Sequence, residues 1–485
     1  MERLTGLAIY GASVCEVDGV TYCLGRRGRE KLVATLGEGV VAGRTVGQRG
    51  GRPVVVGPTD HDNAEAVRAA LPWTAPRLIG LAGSMGFGDR LGLATPGHIR
   101  AVRGSGLACV LAQQSIRELT RTQRTAEEVM DAATWGVLQE GFREGFGSDA
   151  DHLQKPEDIG VMAAAGFTMF TIDPSEHVDD EADALDATAL AERYAALDFD
   201  ALEASANDLK SRYAGKTLRL EGGGEVAFDE ETFARAAVKY ARAVAHTAMM
   251  SRRLADLARG AVELEVSVDE TERPTSPAEH YFFAAEMRRM GVAWVSLAPR
   301  FVGGFEKGVD YIGDLGDFRR SFARHVAVMR TLGPYKISVH SGSDKFSIYP
   351  HLVELAGGLV HVKTAGANYL AALHTIAYVD PPLFREILDV ARGCYESDRA
   401  TYHVSADVSK VPSGNALRDD QLPGLLEQFD ARQVLHVTFG SVLMAGGGEL
   451  FGTRIRGALL DNEEAHYASL ERLLGRHVEA LSRVY

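Results

Sequence analysis

"ELEVSVDE", residues 263–270, sets Leu264, Val266 and Val268 against Glu265, Ser267 and Asp269. Successive side chains of a strand point to opposite faces, so this run is apolar on one side and polar on the other. The parity recurs in "KISVHS" (336–341), where Ile337 and Val339 oppose Lys336, Ser338 and His340. In "LVHVKT" (359–364) Val360 and Val362 oppose His361 and Lys363, and in "YHVSADV" (402–408) Val404 and Ala406 oppose His403, Ser405 and Asp407. A strand in a doubly wound sheet is covered by helices on both faces and reads as apolar on both. A barrel has helices outside only, and its polar groups point into a lumen whose upper end carries the active site. The pattern predicts an α/β chain folded as a TIM-like (β/α)8 barrel.

Working outward, short apolar runs alternate with helical stretches from about residue 77: 78–84, 107–113, a turn around 147–153, 167–174, 263–270, 292–299, 336–342, 359–366, 402–408 and 435–441. Alternation of this kind implies parallel βα units, and with ten candidates one or two fall outside an eight-stranded barrel. "TSPAEHYFFAAEMRRMG" predicts a helix with Ser276 as N-cap, Pro277 at N1 and Glu279 closing a capping box, stopped at Gly291. "DPPLFREILDVARG" predicts another from Asp380 to Gly393. Residues 1–75 read as a small strand-rich α+β segment with a helix ending near Pro72. Residues 76–485 then form the barrel. The stretch at about 180–258 is too long for one crossover, and is expected as a mainly helical insertion with a hairpin at "TLRLEGGGEVAF".

A chain of 485 residues with 46% hydrophobic and 24% charged content has room for such a domain. Its net charge of −14 argues against nucleic acid as a partner. A small anionic substrate stays open, since a pocket can be locally positive. Cys15, Cys23, Cys109 and Cys394 lack paired metal spacing and read as reduced thiols. With no secretory leader pattern and no run of 18 apolar residues, a cytoplasmic protein is expected, with no membrane partner and with room for a homo-oligomer.

"GSDADHLQKP" (147–156) puts an Asp directly beside a His at the C-terminal end of a barrel unit, and "HSGSDKFS" (340–347) supplies a second His. His152 and His340 each offer a neutral imidazole with an acid nearby, and catalytic divalent metals take about three protein ligands while keeping positions open. Both also fit packed, hydrogen-bonded histidines.

"GSDADHLQKPEDI", "VDETERPTSPAEHYF", "SLAPRFVGGFEKGVDYIGDL", "VHSGSDKFSIYP" and "HVKTAGANYLAAL" together resemble the tagaturonate epimerase family, from about residue 77 to the end. The resemblance implies interconversion of D-tagaturonate and D-fructuronate. More distantly, the order Asp-His, acid, His-Ser-Gly-Ser is similar to class II metal-dependent aldolases. There the Asp moves a proton and the two histidines hold the metal, which implies Asp151 for the first role and His152 and His340 for the second. The aldolases carry a further His on an intervening strand end. Here "APRFVGGFEKG" offers Glu306 instead, with His361 and His403 as alternatives.

The two ketouronates differ at a carbinol carbon β to the ketone. Its C–H is not acidified, so inversion calls for retro-aldol cleavage, rotation of the aldehyde and re-addition. That chemistry calls for a Lewis-acidic divalent cation (Zn, Mn, Fe, Co or Ni), for Asp151 to carry the hydroxyl proton on one face and for a second acid on the other. Parity points Glu265 and Asp269 inward, and Glu265 is the first choice. Transient oxidation by a bound dinucleotide is disfavoured, because "GFGDRLG" has the wrong glycine spacing. The substrate carboxylate needs Arg or Lys, and Arg90 (beside Asp89), Arg300, Lys345 and Lys363 are the candidates. The alternatives are a class II-type aldolase or epimerase for a neutral or phosphorylated ketose, and a non-catalytic aldolase-like partner subunit.

Overall fold

The computed structural model describes residues 1–482. Residues 8–58 form a six-stranded antiparallel sheet. Helix His61–Ala70, capped by the Asp60 carboxylate, closes one side of it. Tyr22, Leu24, Val33 and Val67 are buried there against Trp135 and Leu138 of helix Ala126–Glu140, which ties the sheet to the barrel that follows.

Eight parallel strands close into that barrel: β1 (Ser84–Gly88), β2 (Ala108–Ser115), β3 (Gly147–Leu153), β4 (Met169–Ile172), β5 (Glu263–Val268), β6 (Ser296–Pro299), β7 (Lys336–Val339) and β8 (Val360–Lys363), with β8 pairing back onto β1. The outward residues, among them Leu264, Val266, Ile337, Val339, Val360 and Val362, are buried under the surrounding helices. The inward residues make a charged lumen, as the strand parity predicts.

Four of the ten expected stretches differ from the structure. Of the run at 78–84, residues 78–83 are a loop, with Leu78 and Leu81 exposed. The strand is instead the glycine-rich Ser84–Gly88, whose weak apolar pattern hides it. Glycine is needed there, because a Cβ on Gly88 would lie 2.6 Å from the Ala365 Cβ and 2.8 Å from its Cα. The turn expected around 147–153 is β3 itself. Residues 402–408 are irregular, and 435–441 straddle helices Phe429–Val437 and Phe439–Met444. Leu435, Val437 and Phe439 are buried in a second core built by the C-terminal helices, and an apolar run buried on all sides looks alike in helix and strand.

The helix over Pro277–Arg289 has its Ser276 capping box in place. The helix beginning after Asp380 runs on past Gly393 to Asp398. Between β4 and β5 stand helices Ala187–Ala195 and Ala206–Tyr213, the hairpin of Lys216–Arg219 with Glu225–Phe228, and the long helix Glu230–Leu257. No helix among the described residues is long and apolar enough to cross a membrane.

The cores enclose several neutral histidines. Burial pushes His98, His325 and His466 down to about 4 each. The unfolded chain protonates them near 6.5 and the folded chain does not, so it binds more protons and stability falls as pH drops from 6.5 towards 4. The ceiling is about 3 kcal/mol per residue. Urea unfolding at pH 7.0, 5.5 and 4.5 should show the midpoint falling steeply over that window; a flat profile would contradict it.

Candidate active site

A regular strand cannot send two consecutive side chains to the same face, yet Asp151 and His152 both line the cavity at the C-terminal end of the barrel. The end of β3 explains this. Its register with β4 shifts between Ala150↔Phe170 and Leu153↔Ile172, and His152 adopts a left-handed φ of 51°. The extra residue forms a bulge that turns the imidazole inward beside its neighbour. Such a backbone costs a non-glycine residue of order 1 kcal/mol and is typical of functional sites. β7 ends similarly: His340 is followed by Ser341 at φ 49° and Asp344 at φ 63°.

The two imidazoles meet. His152 Nε2 lies 3.1 Å from His340 Nδ1, and Asp269 Oδ1, just past β5, lies 3.2 Å from the same Nδ1. The three form a cluster whose ligand atoms all lie within 4.8 Å of one another. The opposite ring nitrogens are engaged by carboxylates, His152 Nδ1 with Asp173 Oδ2 at 3.1 Å and His340 Nε2 with Glu265 Oε1 at 2.8 Å. Metal-binding histidines are oriented in this way, with the second N–H given to a carboxylate and the first nitrogen free for the ion. The spacings fall between the edges of an octahedron (~3.0 Å) and a tetrahedron (~3.4 Å) built on bonds of ~2.1 Å. The donor set of two imidazoles and one carboxylate therefore fits a divalent transition metal with open positions towards the cavity. His152, Asp173 and Glu270 form a second cluster, but Asp173 already accepts from His152 Nδ1, Gln154 Nε2 and Ser175 N.

Below the cluster, Lys363 of β8 crosses the lumen. Its Nζ lies 2.8 Å from Asp149, 2.5 Å from Asp151 and 2.7 Å from Glu265, and it donates to Thr171 Oγ1 at 2.7 Å. Burial disfavours the charge of Asp151, but Lys363 and the two imidazoles outweigh it and hold the carboxyl down at about 2. Burial dominates at Asp149 and pushes it up to about 6. Asp269 is held far below the usual carboxylate range, since His340 and His152 overcome its burial.

The cavity holds ≈ 290 Å³ and is lined by Asp151, His152, Asp269, His340 and Lys363 and by Arg90, Arg117, Arg300 and Lys307 among others. Gly366 forms part of the wall, and a Cβ there would strike His436 Nε2 at 1.6 Å. Arg90 lines the cavity but is pinned: its Nε donates to Glu118 at 2.9 Å and its guanidinium sits 3.7 Å over the Phe439 ring. Arg300 lines it while donating to the Thr271 carbonyl.

Other expected site residues lie elsewhere. Glu306 is not in the ligand cluster; its Oε2 accepts from Ser405 N, Ser405 Oγ and Gln433 Nε2 at 2.7–3.0 Å, and so fastens the loop over 402–411. His361 is deep in the lumen, neutral and bonded to Ser84 Oγ at 2.9 Å, with burial pushing it down to about 3. His403 lines the cavity from an exposed loop outside the cluster. Asp89 lies off the cavity and accepts the backbone N–H groups of Leu91, Gly92 and Ala94. Lys345 is buried on the carbonyls of Glu306, Val309 and Ser343. Glu265 is fully buried, lies outside the cavity lining and bonds His340 Nε2 at 2.8 Å.

Glu306→Gln should therefore keep the full metal content of the protein and lose about 1 kcal/mol of stability from the weakened loop fastening. Metal analysis and thermal unfolding check both, and loss of metal would return Glu306 to the ligand set. The place of Asp269 beside the two imidazoles, Asp173 as the partner of His152, and Arg117 and Lys307 in the cavity lining are not marked by the sequence. Inward parity marked Asp269 without giving it a role, and Asp173 shares the "IDP" end of its strand with no distinguishing pattern.

Such a constellation at the C-terminal end of a parallel barrel is that of a barrel enzyme acting on a small polar substrate. The chain belongs to the tagaturonate epimerase family, whose model matches residues 10–481 and so takes in most of the N-terminal sheet as well as the barrel. It is 43% identical to the tagaturonate/fructuronate epimerase of Thermotoga maritima over 479 residues, 98% of this chain and 97% of that one. Crystal structures of the fructuronate-tagaturonate epimerase UxaE of Cohnella laeviribosi superpose with a TM-score of 0.93. The native one is 36% identical and the form with one glycerol is 35% identical, each covering 99% of this chain and 98% of the other.

Proposed function

We propose that the protein interconverts D-tagaturonate and D-fructuronate, inverting the carbinol carbon β to the ketone by breaking and re-forming a carbon–carbon bond. The observation that carries the mechanism is the convergence of His152, His340 and Asp269 beside the Asp151–Lys363 pair. The relatives carry the choice of substrate. His152, His340 and Asp269 would hold a divalent cation, which supplies Lewis acidity towards the enediolate.

Asp151, kept ionised by Lys363, takes the proton of the hydroxyl on the inverting carbon. The C–O bond becomes a carbonyl and the adjacent C–C bond breaks, its electron pair passing to the ketone fragment as an enediolate. The aldehyde turns its other face, the C–C bond re-forms, and the new alkoxide takes a proton. Asp151 and Glu270 are the cavity carboxylates left once Glu118 is tied to Arg90 and Asp269 is given to the cation. They are the pair for the two proton transfers, in place of Asp151 with Glu265. Glu265 and Asp173 keep the two imidazoles in the required tautomers.

The four cysteines are free thiols, in keeping with a cytoplasmic enzyme, and a homo-oligomer is compatible with this reading. Proton NMR of purified, metal-loaded protein with D-fructuronate should show D-tagaturonate accumulating, and removal of metal by a chelator should stop it. Cleavage products alone would favour an aldolase, and turnover that survives chelation would remove the cation from the mechanism.

A further inference from the structure

The acidic surface of this chain repels an anionic substrate at long range, with a net charge of −14. The cavity must supply its own attraction. Five cationic side chains line it, and their partners separate them. Lys363 is spent on three carboxylates. Arg90 is spent on Glu118. Arg300 donates to a backbone carbonyl. Arg117, presented by the first turn after β2, has no hydrogen bond or ion pair to any described residue; its guanidinium lies 5.5 Å from the centre of the Tyr402 ring and is open to the cavity. Lys307 lines the cavity and bonds a single group, Ser341 Oγ at 2.5 Å, which leaves two donors of its ammonium without a partner among the described residues. Arg117 and Lys307 feel each other's charge. Two like charges that line one cavity with unused donors make a site for a carboxylate, which accepts from both at once.

We infer that Arg117 and Lys307 bind the carboxylate of the substrate and so set the enzyme's preference for an acidic ketose over a neutral one. The inference rests on the epimerase reading for the identity of the ligand but not for the existence of the site. It replaces Lys345 and Lys363, which are committed to the protein itself, as the carboxylate partners. The substrate then spans the cavity, its acid end on Arg117 and Lys307 and its ketone end towards His152, His340 and Asp269.

The test compares two inert six-carbon chains that differ only in the terminal group, D-gluconate and sorbitol, binding to metal-loaded protein by calorimetry. It is combined with KM and kcat on D-fructuronate. The wild type should prefer gluconate. Arg117→Gln and Lys307→Gln should each cut that preference roughly 10- to 100-fold and raise KM for D-fructuronate more than they lower kcat. Arg117→Lys, which keeps the charge, should recover part of both. If the preference collapses in a protein that does not turn over D-fructuronate, the carboxylate site stands and the epimerase reading falls. If the wild type shows no preference, or the variants weaken gluconate and sorbitol alike, the inference is overturned. Metal content and thermal unfolding of each variant confirm that the comparison is between folded proteins.

Discussion

Asp269→Asn is expected to empty the metal site and to lower kcat/KM for both ketouronates by about 10³-fold or more, with the fold intact. A catalytic cation contributes several kcal/mol of charge stabilisation, and each 1.36 kcal/mol is a tenfold change in rate. Asn keeps the shape of Asp but removes the negative charge that faces both imidazoles. His340 Nδ1 lies 3.2 Å from the Asp269 carboxylate, and His152 Nε2 lies 3.1 Å from His340 Nδ1. With the charge gone, two imidazoles alone must hold a divalent ion. The Asp269 side chain is 20% exposed at the cavity floor, so the substitution leaves no buried gap. Elemental analysis, NMR turnover and thermal unfolding of the variant check the three parts. Retention of metal with full activity would show that the cluster is assembled from other groups.

Lys363→Met should have the largest effect on stability. The ammonium is buried at 4% exposure among Asp149, Asp151 and Glu265, of which Asp149 and Glu265 are wholly buried. Removing one partner of a buried charge cluster costs about 3–5 kcal/mol, because the remaining charges stay desolvated and uncompensated. The pH dependence identifies the cause. Without Lys363, carboxylates in the folded variant hold protons that the unfolded chain gives up, so the native state binds more protons and stability falls as pH rises. Urea unfolding should show the deficit of the variant relative to the wild type shrinking between pH 8 and 6.5. Adding Asp149→Asn should return part of the loss. A variant as stable as the wild type at pH 8 would mean that the lumen carboxylates do not depend on this lysine.

The barrel was legible because strand parity is a physical constraint. Glu265, Lys336, His361 and Lys363 have to point into something, and only a polar lumen accepts them under a helical coat. The strand over Ser84–Gly88 escaped because Gly88 answers to the close approach of Ala365, a contact between distant parts of the chain that leaves no periodic mark. The Asp151–His152 pair was visible as a pair, but its geometry depends on a bulge in β3 that the sequence "SDADHL" does not announce. Glu306 stands in the chain where the aldolases carry a histidine, which is what points to it in the sequence. The Glu306 carboxylate instead turns to Ser405 and Gln433 while its neighbours Phe305 and Lys307 line the cavity, and Asp269, one strand earlier, lies beside the imidazoles. Arg117 and Lys307 lie in ordinary-looking helical and loop sequence. They stand out only once Arg90 and Lys363 are found paired with carboxylates and Arg300 bonded to the Thr271 carbonyl.

The most direct test of the account is anomalous X-ray diffraction at the absorption edge of the bound metal, from crystals grown with the divalent ion that supports turnover. The account predicts one strong peak within about 2.0–2.3 Å of His152 Nε2, His340 Nδ1 and an Asp269 carboxylate oxygen, with Asp173 and Glu265 still on the opposite ring nitrogens. A peak held instead by Asp173 and Glu270, or none near His340, would contradict it.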